Sequence, residues 1–212
     1  MGKTKGRRGY MALKIDLEKA YDKLEWSFIK DMLIRFNLPR KLIDLIMSCI
    51  SSVSTSLLFN GGALEPFLPT RGIRQGDSLS PYIFIMCMDY LGKLIQERCE
   101  DKSWIPVKAS RRGPAFLHLF FANDLVLFAK ANMENCLVIR EVLDEFCSLS
   151  RQTISEAKSR VFFSPNVDQS DREALSDILG FQSTPNLGFP IKHRDASNQD
   201  LTLCWTRLKR NL

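Results

Sequence analysis

The 212-residue sequence has few of the side chains that build a structural zinc site. It contains only two histidines and six cysteines, and no two cysteines are spaced as C-x-x-C. Zinc fingers and zinc ribbons depend on such pairs, so the composition argues against these classes. The cysteines are better interpreted as reduced thiols in the core of an intracellular protein.

Long apolar runs and targeting signals are also missing. The most apolar stretch, from Pro81 to Met88, is far shorter than the roughly 20 residues that span a bilayer. The segment from Met1 to Tyr10 is basic and has no apolar core of a secretory signal. Gly6 stands where a myristoylation signal needs serine or threonine. We therefore predict a soluble, intracellular protein without a membrane partner, and its location in the nucleus or cytoplasm stays open.

Positive charge is in modest excess. The formal net charge is +6 and the sequence pI is about 9.1, which favours a polyanionic partner. On charge alone, nucleic-acid binding and an ordinary basic surface are equally good interpretations. The hydrophobic content of 45% and the length fit one large domain with a real core.

Hydrophobic periodicity predicts alternating strands and helices without an internal repeat. Strands are predicted over 11–17, 55–59, 65–68, 116–121, 125–129 and 160–163. Helices are predicted over 26–36, 42–50, 78–98, 136–146 and 171–179. Asn60-Gly61-Gly62 is typical of a hairpin turn. The pattern indicates an α+β fold, an antiparallel sheet with helices packed on one face.

Two acidic segments, Lys14–Asp22 and Phe120–Phe128, contain the candidate metal-binding residues. Asp16 ends an apolar strand, and Asp124 follows Asn123 at the tip of a predicted hairpin. Carboxylates from two such places could converge on Mg²⁺, which prefers oxygen ligands. Taken alone, Asn-Asp between two strands more often forms a simple turn.

Four motifs in order decide between these interpretations, because together they resemble one family. The segments are Lys14–Asp22 with Trp26, Arg71–Pro81, Phe121–Asp124 and Ile154–Ser159. They resemble the palm region of the reverse transcriptase of plant non-LTR (LINE-type) retrotransposons. The resemblance implies a polymerase palm with a ferredoxin-like core over residues 10–182. Residues 1–9 would be a basic tail, and residues 183–212 a truncated palm/thumb junction.

The same resemblance implies RNA-directed DNA polymerase activity on an RNA template and a DNA primer. Two Mg²⁺ ions, with Mn²⁺ as a possible substitute, would transfer a nucleotide from dNTP to the primer 3′-hydroxyl. Asp16, Asn123 and Asp124 occupy the metal-ligand positions, with the Leu17 carbonyl as a companion ligand.

Other roles follow from the matched motif positions. Tyr21 would lie under the incoming sugar and disfavour a ribose 2′-hydroxyl, while Gln75 and Gly76 would lie near nucleotide and template. Arg74 would contact phosphate, as would Arg71. Lys158 would protonate the leaving pyrophosphate. The plainer alternatives are aromatic packing for the tyrosine, a loop for the glycine and solvated cations for the basic residues.

Departures from the family pattern bear on activity. Asn123 replaces the leading aspartate of the F-A-D-D box, and the loss of that charge predicts a slowing of roughly a thousandfold or more. Ser78 replaces a proline, a mild change at a helix start. The stretch 186–190 is shortened where part of the primer grip is expected. Because the chain begins just before the first motif, we expect fingers, thumb and endonuclease regions to belong to a fuller product.

A competing hypothesis is a non-catalytic or vestigial palm that binds nucleic acid. The basic residues of the tail and of 108–112 could support weak, salt-sensitive binding, although a tail this short could equally be solvated. A group II intron maturase fits the same motifs less well.

Overall fold

A computed structural model describes residues 9–108, 113–121 and 124–185, and the side chains of these residues except those of Phe121 and Asp124. The predicted basic tail, Asn123 and the predicted palm/thumb junction beyond residue 185 lie outside the described residues. In chain order the elements are β1 (Tyr10–Asp16), α1 (Trp26–Arg35), α2 (Arg40–Ser51), β2 (Leu58–Phe59), β3 (Gly62–Ala63), α3 (Ser80–Glu100), β4 (Val107–Lys108), β5 (Ala115–Phe116), β6 (His118–Phe121), β7 (Asp124–Lys130), α4 (Met133–Ser150), β8 (Arg160–Phe163), α5 (Gln169–Leu179) and β9 (Gln182–Ser183).

The main sheet has five strands in the order β6-β7-β1-β8-β9. Its central strand, β1, is antiparallel to both β7 and β8. The pair β8-β9 is parallel, at one edge of the sheet. The predicted α+β class and antiparallel sheet are therefore confirmed, with one parallel edge pair added.

Alternation along β1 determines which face of the sheet is covered. Leu13 and Ile15 are fully buried, whereas Lys14 and Asp16 on the opposite face are only partly buried. Leu13, Leu127 and His118 form one row across three strands, and α3 packs against this row at Gly92. On the same face, Cys136 Sγ of α4 lies 3.8 Å from Met11 Sδ. Helices α3 and α4 thus cover the face on which Leu13 lies.

The helices follow the predicted amphipathic spacing. In α1 the residues Ile29 and Leu33 are buried, and Phe36 lies just past the last turn, half-exposed. Helix α2 buries only Ile43 fully, so its other apolar residues remain on or near the surface. None of the described helices is long and apolar enough to cross a membrane.

The predicted hairpin forms, with shorter strands than expected. Asn60 and Gly61 both have positive φ, 48° and 81°, as a two-residue type I′ turn requires. The second strand therefore begins at Gly62 and not at the predicted residue 65. Beyond it the Leu64 N–H donates to the Leu57 carbonyl at 2.8 Å, and an isolated bridge joins Thr55 and Phe67.

The predicted strand over 116–121 is wrong as a single element. Its first part, β5, pairs with β4 in a separate two-stranded sheet, whereas β6 pairs with β7. Leu117 lies between the two parts, and its carbonyl accepts a hydrogen bond from the Phe128 N–H at 2.9 Å. Uninterrupted apolar character does not reveal such a change of partner.

Candidate functional site

One cavity of about 620 Å³ collects most of the predicted site residues. It is lined by Asp16, Leu17, Lys19, Ala20, Tyr21, Gln75, Gly76, Asp77, Pro81 and Lys158. These residues come from the first motif, from the second motif at the start of α3 and from the lysine motif. Three segments that are distant in sequence therefore form one concave surface.

Asp16 is fixed at the end of β1 by the lysine motif. Its backbone N–H donates to Ser159 Oγ at 3.1 Å, and its carbonyl accepts from the Ser155 N–H at 2.9 Å. Both serines are buried. An isolated bridge between Leu17 and Ile154 extends the contact by one residue. The backbone of Asp16 is consequently held on both sides, and its partly exposed carboxylate lies on the cavity wall.

The register of the sheet places Asp124 directly opposite Asp16 on the neighbouring strand. Lys158 Nζ lies 3.8 Å from Asp16 Oδ1, with both side chains accessible to solvent. Among the described residues, no three or more His, Cys, Asp or Glu side chains form a metal-binding cluster. The carboxylate of Asp16 and the backbone carbonyl of Leu17 offer oxygen ligands of the kind that suit a hard cation such as Mg²⁺.

Tyr21 is held in the cavity wall by two contacts of its own and one of the residue before it. Its ring stacks on Phe84 of α3, with centroids 4.9 Å apart and planes 14° apart. Its carbonyl accepts from the Ile73 N–H at 2.8 Å. The preceding carbonyl, that of Ala20, accepts from the buried Gln152 Nε2 at 2.8 Å. Tyr21 therefore packs against α3 as an ordinary aromatic residue would, and it also lines the cavity.

The second motif docks on the first through Gly72. The Gly72 N–H donates to the Leu24 carbonyl, and the Gly72 carbonyl accepts from Trp26 Nε1, each at 2.7 Å. Its φ is +84°, and a Cβ atom there would lie 2.7 Å from the Asp22 carbonyl oxygen. Only glycine meets both conditions without strain. Gln75 Nε2 also contacts Asp22 Oδ1 at 3.3 Å.

The remaining residues of this loop differ in position. Gly76 lies on the cavity wall with φ +85°, and no described atom lies within 4 Å of a Cβ built there. Arg74 is exposed but does not line the cavity, so the structure does not bring it together with the other predicted residues. Arg71 lies 3.9 Å from Glu25, a loose surface ion pair that contributes little.

The start of α3 differs from the prediction. The helix begins at Ser80 rather than Ser78, and Pro81 occupies its first turn. Asp77 Oδ1 accepts a hydrogen bond from the Leu79 N–H at 2.9 Å. Asp77, and not Ser78, thus provides the polar side chain that precedes this helix.

Sequence reasoning missed Lys19, Ala20, Asp77 and Pro81 as cavity residues. All four lie inside the two matched motifs, so the motifs themselves were the available signal. Beside the cavity, the hydrogen bond from Lys23 lowers the pKa of Glu18, and the charges of Lys158 and Lys19 lower it further.

The sequence matches the family model described as reverse transcriptase (RNA-dependent DNA polymerase) over residues 2–191. The chain therefore belongs to the reverse transcriptase family. It is 32% identical over 138 residues to the retrovirus-related Pol polyprotein of the type-2 retrotransposable element R2DM of Drosophila melanogaster. That match covers 65% of this chain but 12% of the polyprotein.

A plant protein and a solved telomerase structure are also similar to this chain. An uncharacterized mitochondrial protein of Arabidopsis thaliana is 40% identical over 68 residues, covering 32% of this chain and 55% of that protein. Apo telomerase of Candida tropicalis, truncated from its C-terminal domain, superimposes with a TM-score of 0.56 at 16% identity. That superposition covers 79% of this chain and 33% of the telomerase chain. At this identity the likeness demonstrates the fold alone.

Proposed function

We propose that this chain is the palm of a reverse transcriptase from a plant LINE-type retrotransposon, with its polymerase activity lost or severely reduced. The observation that carries the proposal is the shared cavity of Asp16, Tyr21, Gln75 and Lys158. These residues come from three separate motifs, and a nucleotide-binding palm needs all three at one place. The plant relative supports the assignment to plants, and the relation to a retrotransposable-element polyprotein supports a mobile-element origin.

The chain's residues have distinct parts in the proposed reaction. Asp16 and the Leu17 carbonyl would hold the metal, together with Asp124 from the opposite register position. Mg²⁺, when bound, would activate the primer 3′-hydroxyl and stabilise the leaving pyrophosphate. Tyr21 would support the deoxyribose ring from its fixed place on Phe84. Lys158, which is exposed at the cavity, would donate a proton to pyrophosphate.

Asn123 is the basis for the loss of activity. Its amide offers one neutral oxygen where the family uses a carboxylate, so the charge that offsets a divalent ion is reduced by one. An electrostatic term of several kcal/mol corresponds to a slowing of roughly a thousandfold or more. The RNA template, the DNA primer and the dNTP are the proposed substrates of the fuller protein, in which fingers, thumb or endonuclease regions would complete the machinery.

The proposal is tested by Mn²⁺ titration, followed by the paramagnetic signal of the free ion, with primed template present. Wild type is compared with Asn123→Asp and with the control Asn37→Asp. Asn37 is exposed and does not line the cavity, so the control adds the same charge at another place. We expect Asn123→Asp to bind Mn²⁺ roughly tenfold more tightly or better, and Asn37→Asp to match wild type.

Three results would change the proposal. Equal, tight binding by wild type and Asn123→Asp would show that Asn123 is an adequate ligand and would contradict the loss of activity. Tighter binding by both variants would indicate a nonspecific charge effect. Absence of binding by all three, combined with salt-dependent nucleic-acid binding, would favour the non-catalytic palm.

A further inference from the structure

His118 is a titratable side chain that lies between the sheet and α3, away from the cavity residues. It is half-buried on β6, and its ring stacks on that of Phe120 with centroids 4.2 Å apart and planes 23° apart. A Cβ atom built on Gly92 of α3 would lie 3.4 Å from His118 Nε2 and 3.5 Å from Phe120 Cε2. The backbone of α3 therefore packs closely against both rings.

The other ring nitrogen of His118 is buried without a partner. Nδ1 makes no hydrogen bond within the part of the chain that the structure describes. A neutral imidazole can leave one nitrogen as a bare acceptor, whereas the imidazolium carries a proton on both nitrogens. Protonation would thus bury a charged N–H donor without an acceptor, which costs more than burying a neutral nitrogen. The contact between α3 and β6 accordingly favours the neutral ring.

The charges around His118 oppose this preference only in part. The charged side chains beside Gly92 on α3 are those of Asp89 and Lys93, which form an ion pair at 3.1 Å and are each about half-exposed. On β7 the residue opposite His118 is Leu127, which is apolar and buried. Burial lowers the pKa of His118, and the charge of Asp89 raises it by less.

Both elements that meet at His118 lead to the candidate site. Helix α3 begins at Ser80, next to the cavity residue Pro81. Strand β6 ends at Phe121, which pairs with Asp124 on β7. A change in the packing of α3 on β6 would therefore reach the two sides of the site at once.

We propose that His118 is an acid-sensitive latch: its neutral ring holds α3 on β6, and its protonation releases this contact and loosens the strand that leads to Asp124. Histidines of the unfolded chain ionise near pH 6.5, so the stabilisation from the neutral ring is complete above that pH. It is lost as the pH falls, because the unfolded chain then binds the proton more readily. The latch depends on the packing of one ring and not on polymerase activity.

The first measurement uses the small number of histidines, His118 and His193. His193 lies outside the described residues, and His193→Gln leaves His118 as the single imidazole. Its proton NMR signal is then titrated in the folded protein. We expect a midpoint below the value of about 6.5 for a histidine in an unfolded chain. A midpoint at or above that value would overturn the latch.

The second measurement is urea denaturation between about pH 5.5 and pH 7.5, where histidine titrates. It compares wild type, His193→Gln and His118→Phe, which keeps an aromatic ring for stacking but cannot be protonated. As the pH falls, we expect the unfolding constant of the first two to rise relative to His118→Phe, by up to about tenfold per pH unit for one proton. Parallel curves for wild type and His118→Phe would show that His118 does not respond to acid, and the latch would be rejected.

Hydrogen exchange distinguishes a local latch from general loosening. After correction for the intrinsic pH dependence of exchange, acid should reduce the protection of the β6 N–H groups more than that of β8, on the other side of the central strand. His118→Phe should abolish this difference. Equal losses of protection in β6 and β8 of wild type would assign the effect to global unfolding and contradict a latch at the α3–β6 contact.

Discussion

The backbone N–H of Asp16 donates a hydrogen bond to Ser159 Oγ at 3.1 Å, across a sequence separation of 143 residues. Ser159 is fully buried, so this hydroxyl is sheltered from water. At the other end of the same strand, the Tyr10 N–H donates to Ser164 Oγ at 2.9 Å. Two serines thus hold the two ends of β1, and only one of them lies beside the candidate metal ligand.

Ser159→Ala should destabilise the fold by about 1–3 kcal/mol, because it leaves the Asp16 N–H buried without an acceptor. Urea denaturation measures this cost. In an Asn123→Asp background, the same substitution should also weaken Mn²⁺ binding, since Asp16 loses its anchor. Ser164→Ala is the control: it should lower stability and leave Mn²⁺ affinity unchanged. Equal losses of affinity in both variants would show that general loosening, and not the anchor at Asp16, is responsible.

Gly72→Ala should destabilise the protein by at least about 2 kcal/mol, because a side chain is strained at φ +84° and its Cβ would meet the Asp22 carbonyl at 2.7 Å. Gly61→Ala is the matched comparison. Gly61 has φ +81°, but no described atom lies within 4 Å of a Cβ built there. Gly61→Ala should lower the free energy of unfolding only by the cost of placing a Cβ in the left-handed region, about 1 kcal/mol. Thermal and urea unfolding give both values, and equal costs would rule out the contact with Asp22.

Burial raises the pKa of the Cys87 thiol to about 12. In the unfolded chain a thiol ionises near pH 8.5, so the stabilisation from a neutral Cys87 is complete below that pH and is lost as the pH rises toward 12. Between pH 9 and 11, the free energy of unfolding should fall by up to about 1.4 kcal/mol per pH unit from this group. Cys87→Ala should show a shallower decline. The difference in slope, measured by urea denaturation, isolates the thiol from lysine titration, and identical slopes would refute the assignment.

Leu13→Ala should cost about 2–5 kcal/mol, because Leu13 is fully buried in the central strand. Leu58→Ala removes the same atoms from a side chain that is 81% exposed on β2, and should change stability by less than about 0.5 kcal/mol. Paired urea denaturation curves measure both effects. A large cost for Leu58→Ala would mean that the hairpin is covered in solution.

The sequence was sufficient for elements whose burial follows a simple period. Alternation from Met11 to Leu17 predicted β1, and the spacing of Ile29 and Leu33 predicted α1. The break at Leu117 and the two-residue strand β9 could not be predicted, because both depend on which distant strand is available for pairing. The spacing of apolar residues does not indicate which strands pair with each other.

The site shows a similar division. The resemblance to the family's motifs grouped Asp16, Tyr21, Gln75 and Lys158, and these four residues line one cavity. Their roles stay predictions. The same reasoning placed Arg74 with them, although its side chain lies outside the lining residues. Lys19 lies inside the first motif and lines the cavity as well, but the motif alone does not show which of its residues face the cavity.

The position of β1 at the centre of the sheet has a consequence for synthesis. Both of its neighbours, β7 and β8, are encoded more than a hundred residues later. At a typical translation rate, the 143 residues between Asp16 and Ser159 take on the order of ten seconds to emerge. Until β7 is synthesised, the strand bearing Asp16 has two unpaired edges, and the edge that pairs with β8 stays unpaired to the end of that interval. Such edges promote aggregation. Nascent chains that stop before β8 should therefore depend on chaperones far more than the finished domain does.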